Sequence, residues 1–169
     1  DLGAQHGCGR ALWEHQPDKY GSYGTPMALM LLPFWTKGCI ASMEGLYFES
    51  SASTPFHFLN QSELSQAPSR AQRDLPYSSL DVERGVQHLQ LMGVRYYMAF
   101  SSDALAQARQ NPDLTEVLGS GAGPWHVFLV KSSDLVVPLA YEPVVYGNVS
   151  EHQKEWLPQA VDFYNHPDQ

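Results

Sequence analysis

Ser78-Ser-Leu-Asp-Val-Glu-Arg-Gly-Val-Gln-His-Leu-Gln-Leu-Met-Gly93, running directly into Val94-Arg-Tyr-Tyr-Met-Ala-Phe100, is the stretch whose reading decides the fold. Ser78 and Asp81 fit a capping box, Asp81 and Glu83 place negative charge in a first helical turn, and Val82, Val86 and Leu89 recur at helical spacing. Gly93 closes that helix. Val94 to Phe100 is β-branched and aromatic, the make-up of a strand. Ser102-Asp103 then caps a second helix through Leu105 and Ala108, which Asn111-Pro112 stops. Leu114 to Leu118 and Trp125 to Val130 read as two strands around Gly119-Ser-Gly-Ala-Gly-Pro124, a loop too long for a two-residue hairpin, and antiparallel pairing is expected. Helix, strand, helix, strand, strand in succession predicts an α/β or α+β fold, a mixed sheet with helices packed against it.

Outward from this core the signals weaken. Leu135 to Val145 contains Pro138 and Pro143, so it is an edge strand or an extended lead-out. Trp156 to Tyr164, with Trp156, Ala160 and Phe163 on one stripe, predicts a terminal amphipathic helix. The expected organisation is one compact domain over residues 1–150, with 151–169 as a C-terminal helix leading out of it. Toward the N-terminus, Arg10 to Glu14 reads as a short strand and Gln16 to Gly24 as a loop. Thr25-Pro26 looks like a helix start, with Met27 to Leu32 as the body of a short buried helix that Pro33 kinks or that ends near Lys37-Gly38. Cys39 to Tyr47 reads as a strand, Phe48 to Asn60 as a Ser/Thr/Pro-interrupted segment, and Gln61 to Ser79 as an ordered loop.

Composition bounds the function. In 169 residues, 43% are hydrophobic and 17% charged, which is a folded, weakly charged chain. Ten Lys plus Arg against eighteen Asp plus Glu gives a net charge of −8. Nucleic acid is therefore not an expected partner, since phosphate-backbone binding rests on clustered cations. The longest apolar run, Met27 to Trp35, falls far short of the roughly 20 residues of a membrane helix. The chain begins with Asp1 and shows no signal-peptide pattern, so an excised or processed piece is expected. Two cysteines, Cys8 and Cys39, are too few for a four-thiolate zinc site and are not spaced as C-x-x-C. They form one disulfide, or remain two thiols serving as small apolar side chains.

The sequence contains no nucleophile elbow, no P-loop and no dinucleotide-binding glycine motif in the required context. The seven histidines lack metal-ligand spacing, so neither a metal nor a cofactor is expected. The densest polar and aromatic constellation is Arg10, Trp13, Glu14, Trp35, Glu44, Tyr47, Glu49, His57 and Asn60, and these are the candidate ligand-binding residues. Glu44 and Glu49, with His57 beside them, suit an acid–base pair of the kind glycoside chemistry uses. Alternatively the carboxylates neutralise Arg10, the commoner arrangement. Trp13, Trp35 and Tyr47 are either sugar-stacking platforms or core.

Three segments carry a resemblance: Gly24-Thr-Pro-Met-Ala-Leu-Met-Leu-Leu-Pro-Phe-Trp-Thr36, Ser42-Met-Glu-Gly-Leu-Tyr-Phe-Glu49 and Thr54-Pro-Phe-His-Phe-Leu-Asn60. With Leu91-Met-Gly-Val-Arg-Tyr-Tyr97 and Gly123-Pro-Trp-His-Val-Phe128, the chain resembles a group of large actinobacterial polytopic membrane proteins. These are sometimes labelled as related to 6-pyruvoyl-tetrahydropterin synthase, and they are similar to membrane glycosyltransferases of the GT-C type. The resemblance covers roughly residues 9–165. It implies an extracytoplasmic domain of a cell-envelope membrane protein, non-catalytic alone, that helps bind carbohydrate or a lipid-linked glycan and joins the membrane through other parts of a parent chain. It carries over no catalytic residue, and the histidine set of a pterin synthase is missing here. An extracytoplasmic location in turn implies a Cys8–Cys39 disulfide, which persists in an oxidising space. The other expectations are a hydrolase using Glu44, Glu49 and His57, and a structural or protein-interaction module.

Overall fold

The computed structural model describes residues 2–25, 27–44, 51–119, 121, 123–140, 142 and 145–166. The chain divides into two compact units, Asp1–Leu135 and Val136–Gln169. The first holds a five-stranded mixed sheet with strand order β2-β1-β3-β5-β4. Its strands are β1 (Gly9–Trp13), β2 (Ile40–Ser42), β3 (Val94–Ala99), β4 (Leu114–Leu118) and β5 (His126–Val130). β1 runs parallel to both β2 and β3, whereas β5 lies antiparallel between β3 and β4. The expected helix–strand alternation with a mixed sheet is thus present.

Alternating side chains send the sheet's residues to two faces. On one, Leu12, Val94, Tyr97, Ala99, Phe128 and Val130 meet Val82, Val86 and Leu89 of α5 (Val82–Leu91) and Ala104, Leu105 and Ala108 of α6 (Ser102–Gln110). On the other, Ala11, Tyr96 and Val127 pack with Leu2 of α1 (Leu2–His6), Leu32 and Ile40. Trp13, Tyr20 and Trp125 extend that second layer, Tyr20 coming from α2 (Pro17–Tyr20). The caps refine the sequence reading. Asp81 is the N-cap of α5, its Oδ1 accepting from Arg84 N at 3.1 Å, so the cap lies three residues after Ser78 and the helix starts at Val82. Gly93 follows α5 with φ +59°, a left-handed conformation glycine adopts at little cost.

Two expectations upstream are corrected. The segment after Thr25 is not one buried helix: it is a 3₁₀ turn, Ala28–Leu31, followed by α3 (Leu32–Trp35). Leu29, Met30 and Leu32 face the core, while Leu31, Phe34 and Trp35 are exposed. The interrupted segment before Asn60 is in fact α4 (Thr54–Glu63), with Pro55 in its first turn, where a missing N–H costs nothing. Asn60 Nδ2 donates to the Gly85 carbonyl at 2.9 Å, and α4 and α5 approach so closely that a Cβ on Gly85 would lie 2.6 Å from Leu64. The close crossing of these two helices therefore depends on a glycine at that position.

The parallel register Gly9↔Ile40 sets Cys8 and Cys39, the residues just before each, side by side. They form a disulfide with Cα atoms 4.6 Å apart. In the second unit, the described residues between 136 and 152 contain no strand, which matches the lead-out alternative for that segment. That unit's helix is α7 (Gln153–Asn165). Its buried positions include Val161 and Tyr164, whereas Phe163 is exposed.

Candidate functional site

The site grows from α4. Nine of its ten residues are buried, among them the polar His57, Asn60, Gln61, Ser62 and Glu63. His57, Asn60 and Gln61 stand at i, i+3 and i+4, the spacing that puts side chains together on one helical stripe. Among the described residues, five of their polar atoms have no hydrogen-bond partner: His57 Nδ1 and Nε2, Asn60 Oδ1, and both Gln61 Oε1 and Nε2. Buried polar groups are ordinarily paired, and leaving one unmade costs about 1–3 kcal/mol. So many orphans along one stripe form a buried polar row that the described residues do not complement.

Glu44 supplies the solvent side of this cluster. The Ser42 hydroxyl pins its backbone, donating to the Glu44 carbonyl at 2.7 Å and accepting from the Glu44 N–H at 2.9 Å. Glu44 Oε2 then lies 3.9 Å from His57 Nε2, with the Glu44 side chain 17% exposed and that of His57 5%. Burial pushes the Glu44 carboxyl up to about 7 and the His57 imidazole down to about 4. Between those values both groups are uncharged. The pair is thus a neutral acid beside a neutral base, rather than an ion pair.

A second network supports α4 from behind. His88 Nδ1 donates to Glu63 Oε2 at 2.7 Å, Asn60 Nδ2 reaches the same oxygen at 3.3 Å, and Arg84 Nε lies 3.4 Å from Glu63 Oε1. Glu63 is therefore compensated by a cation and by hydrogen bonds, as a buried carboxylate requires. Its role is to hold the Asn60 amide in place.

The other candidates from the sequence are placed elsewhere. Trp13, 2% exposed, packs with Tyr20 and Trp125 in the core. Glu14 is fully buried and accepts from the backbone N–H groups of Phe100 and Ser101 at 2.9 and 3.0 Å, and from Gln66 N at 3.4 Å. It neutralises the start of α6, where the helix dipole favours an anion. The Arg10 guanidinium donates to the Met92 carbonyl, so among the described residues the expected Arg10–Glu44 salt bridge is not formed. Trp35 is 72% exposed beside Phe34. Tyr47 and Glu49 lie outside the described residues. Glu44, His57 and Asn60 are the candidates brought together, and Gln61, Glu63 and His88 are additions from the structure. Among the described residues no His/Cys/Asp/Glu group has the geometry to hold a metal ion.

A separate cleft of about 300 Å³ is lined by Arg95, Lys131, Thr115, Ser132, Ser133 and Asp134 among others. Arg95 donates twice to the His6 carbonyl and Lys131 Nζ donates to the Pro112 carbonyl, so both cations are already engaged. The α4 cluster, with its orphaned atoms, is the stronger site. Among the described residues no helix is long and apolar enough to cross a membrane. Comparison with protein-family models, curated proteins and solved structures finds no match for this chain.

Proposed function

We propose that this chain is an extracytoplasmic domain of a cell-envelope membrane protein, similar to GT-C-type glycosyltransferases, and that it helps bind carbohydrate or a lipid-linked glycan without catalysing transfer alone. The observation that carries the binding part is the row of unpartnered polar atoms on His57, Asn60 and Gln61 beside Glu44. A sugar hydroxyl donates one hydrogen bond and accepts up to two, so adjacent hydroxyls complement this mixture of imidazole and amide groups. A neutral site also suits a neutral ligand, and burial keeps Glu44 and His57 uncharged over the intervening pH range. The Cys8–Cys39 disulfide supports the location, since such bonds persist outside the reducing cytosol.

Calorimetric titration with neutral hexose and pentose oligosaccharides tests the proposal. Binding by the wild-type chain, lost in Gln61→Leu and His57→Phe variants that retain the fold, is the expected result. Equal binding in the variants, or none in the wild type, would overturn it.

The neutral acid–base pair favours a second reading, a hydrolase in which Glu44 donates a proton and His57 accepts one. General acid–base catalysis is most effective when the group's pKa lies near the working pH, which Glu44 satisfies. Under this reading Glu44→Gln abolishes turnover on a glycoside and ester panel without altering the fold. Absence of turnover by the wild-type chain would remove it.

A further inference from the structure

The apolar surface of residues 27–35 has no part in the α4 site. Met27-Ala-Leu-Met-Leu-Leu-Pro-Phe-Trp35 contains no polar side chain. Its inner residues Leu29, Met30 and Leu32 pack on the Trp13, Tyr20 and Trp125 layer. Its outer residues Met27, Leu31, Phe34 and Trp35 are 40%, 51%, 72% and 72% exposed, and the Phe34 and Trp35 rings meet edge to face. A surface helix ordinarily turns polar residues outward. Large apolar side chains exposed together in one short segment mark an interaction site.

We propose that this surface docks on an anionic phospholipid bilayer, entering the headgroup region without crossing it. Charge supports that occupant. In a chain of net charge −8, residues 19–43 contain two lysines and no acid. Lys19 and Lys37 are both exposed, and the adjoining acids are Asp18 before the range and Glu44 after it. A second copy of the chain would bring the same cations to the contact, whereas anionic headgroups complement them. Trp, Phe and Leu flanked by Lys is the mixture that settles at membrane interfaces. The surface is preformed: Thr36 Oγ1 donates to the Leu32 carbonyl at 2.6 Å and accepts from Ile40 N at 2.9 Å, and the disulfide anchors Cys39. This inference rests on the envelope placement proposed above, but adds that the domain itself touches the bilayer.

The test is co-sedimentation of the 169-residue chain with phosphatidylglycerol/phosphatidylcholine vesicles and with phosphatidylcholine vesicles, read together with quenching of tryptophan emission by brominated lipid. Wild type is expected to partition onto the mixed vesicles and be quenched. Phe34→Ser/Trp35→Ser, at exposed positions, should reduce partitioning by about tenfold or more while circular dichroism is unchanged. Lys19→Glu/Lys37→Glu should weaken binding to the mixed vesicles only. No partitioning of the wild type, no quenching, or unchanged partitioning in the serine variant would overturn the proposal. So would a concentration-dependent dimer that the serine variant abolishes. Should the serine variant misfold, quenching of the wild type decides alone. Failure to bind glycan with vesicle binding intact removes only the glycan reading.

Discussion

Removing either member of the Glu44–His57 pair should uncover a pH dependence of stability that the other conceals. Burial raises Glu44 from 4.5 to about 7 and lowers His57 from 6.5 to about 4. Between pH 4 and 6.5 the unfolded chain binds more protons at His57 than the native chain, so the His57 contribution to stability rises with pH across that window. Between pH 4.5 and 7 the native chain binds more protons at Glu44, so its contribution is fully present below 4.5 and is lost as the pH climbs through about 7. At about 1.4 kcal/mol per pH unit, each window integrates to about 3 kcal/mol, with opposite signs. In the wild type they largely cancel. Burial causes both shifts, so each persists when its partner is removed. Urea unfolding at intervals from about pH 4 to 7.5 gives the difference curves. Stability of Glu44→Gln relative to wild type should rise by about 3 kcal/mol through the Glu44 window, and that of His57→Phe should fall by about 3 kcal/mol through the His57 window. Flat difference curves would refute the reasoning. Curves of opposite sign would show that the pair is a buried ion pair.

Three further outcomes follow from the packing. Gly85→Ala normally stabilises a helix interior, but here the new methyl meets Leu64 at 2.6 Å, and thermal denaturation should show a loss of about 1–3 kcal/mol. Glu14→Gln removes the charge that receives the Phe100 and Ser101 N–H groups, and should cost about 2–3 kcal/mol in chemical unfolding. Cys8→Ser/Cys39→Ser opens a cross-link over a sequence separation of 31, worth about 3–4 kcal/mol in the chain-entropy model, and the wild type under reductant should show the same loss.

The elements from Val82 to Val130 were legible because each carries a local signature. Val82, Val86 and Leu89 keep helical spacing, Gly93 and Asn111-Pro112 supply stops, and the strands are β-branched or aromatic. α4 was not legible because it is buried on nearly every side and has polar residues inward, so no apolar stripe separates one face from another. The same property hid half the site. Glu44, His57 and Asn60 stood out as residue types, but Gln61 joins them only once His57 and Gln61 are known to be one helical turn apart. Trp13 and Trp35 look alike in sequence, yet one lies inside and the other outside, because β1 is an interior strand whose Trp13 is covered by Tyr20 and Trp125, whereas Trp35 sits on the outer side of α3. The cysteine pairing depended on the parallel register of β1 and β2, which local spacing does not encode.

The proposed glycan-binding role requires that the orphaned α4 stripe receive a neutral sugar. The most direct measurement is NMR of the side-chain amides of Asn60 and Gln61 and the imidazole of His57 during titration with neutral oligosaccharides. Saturable shifts at all three, absent in Gln61→Leu, are the predicted result. Shifts confined to other surfaces, or none at these three side chains, would contradict it.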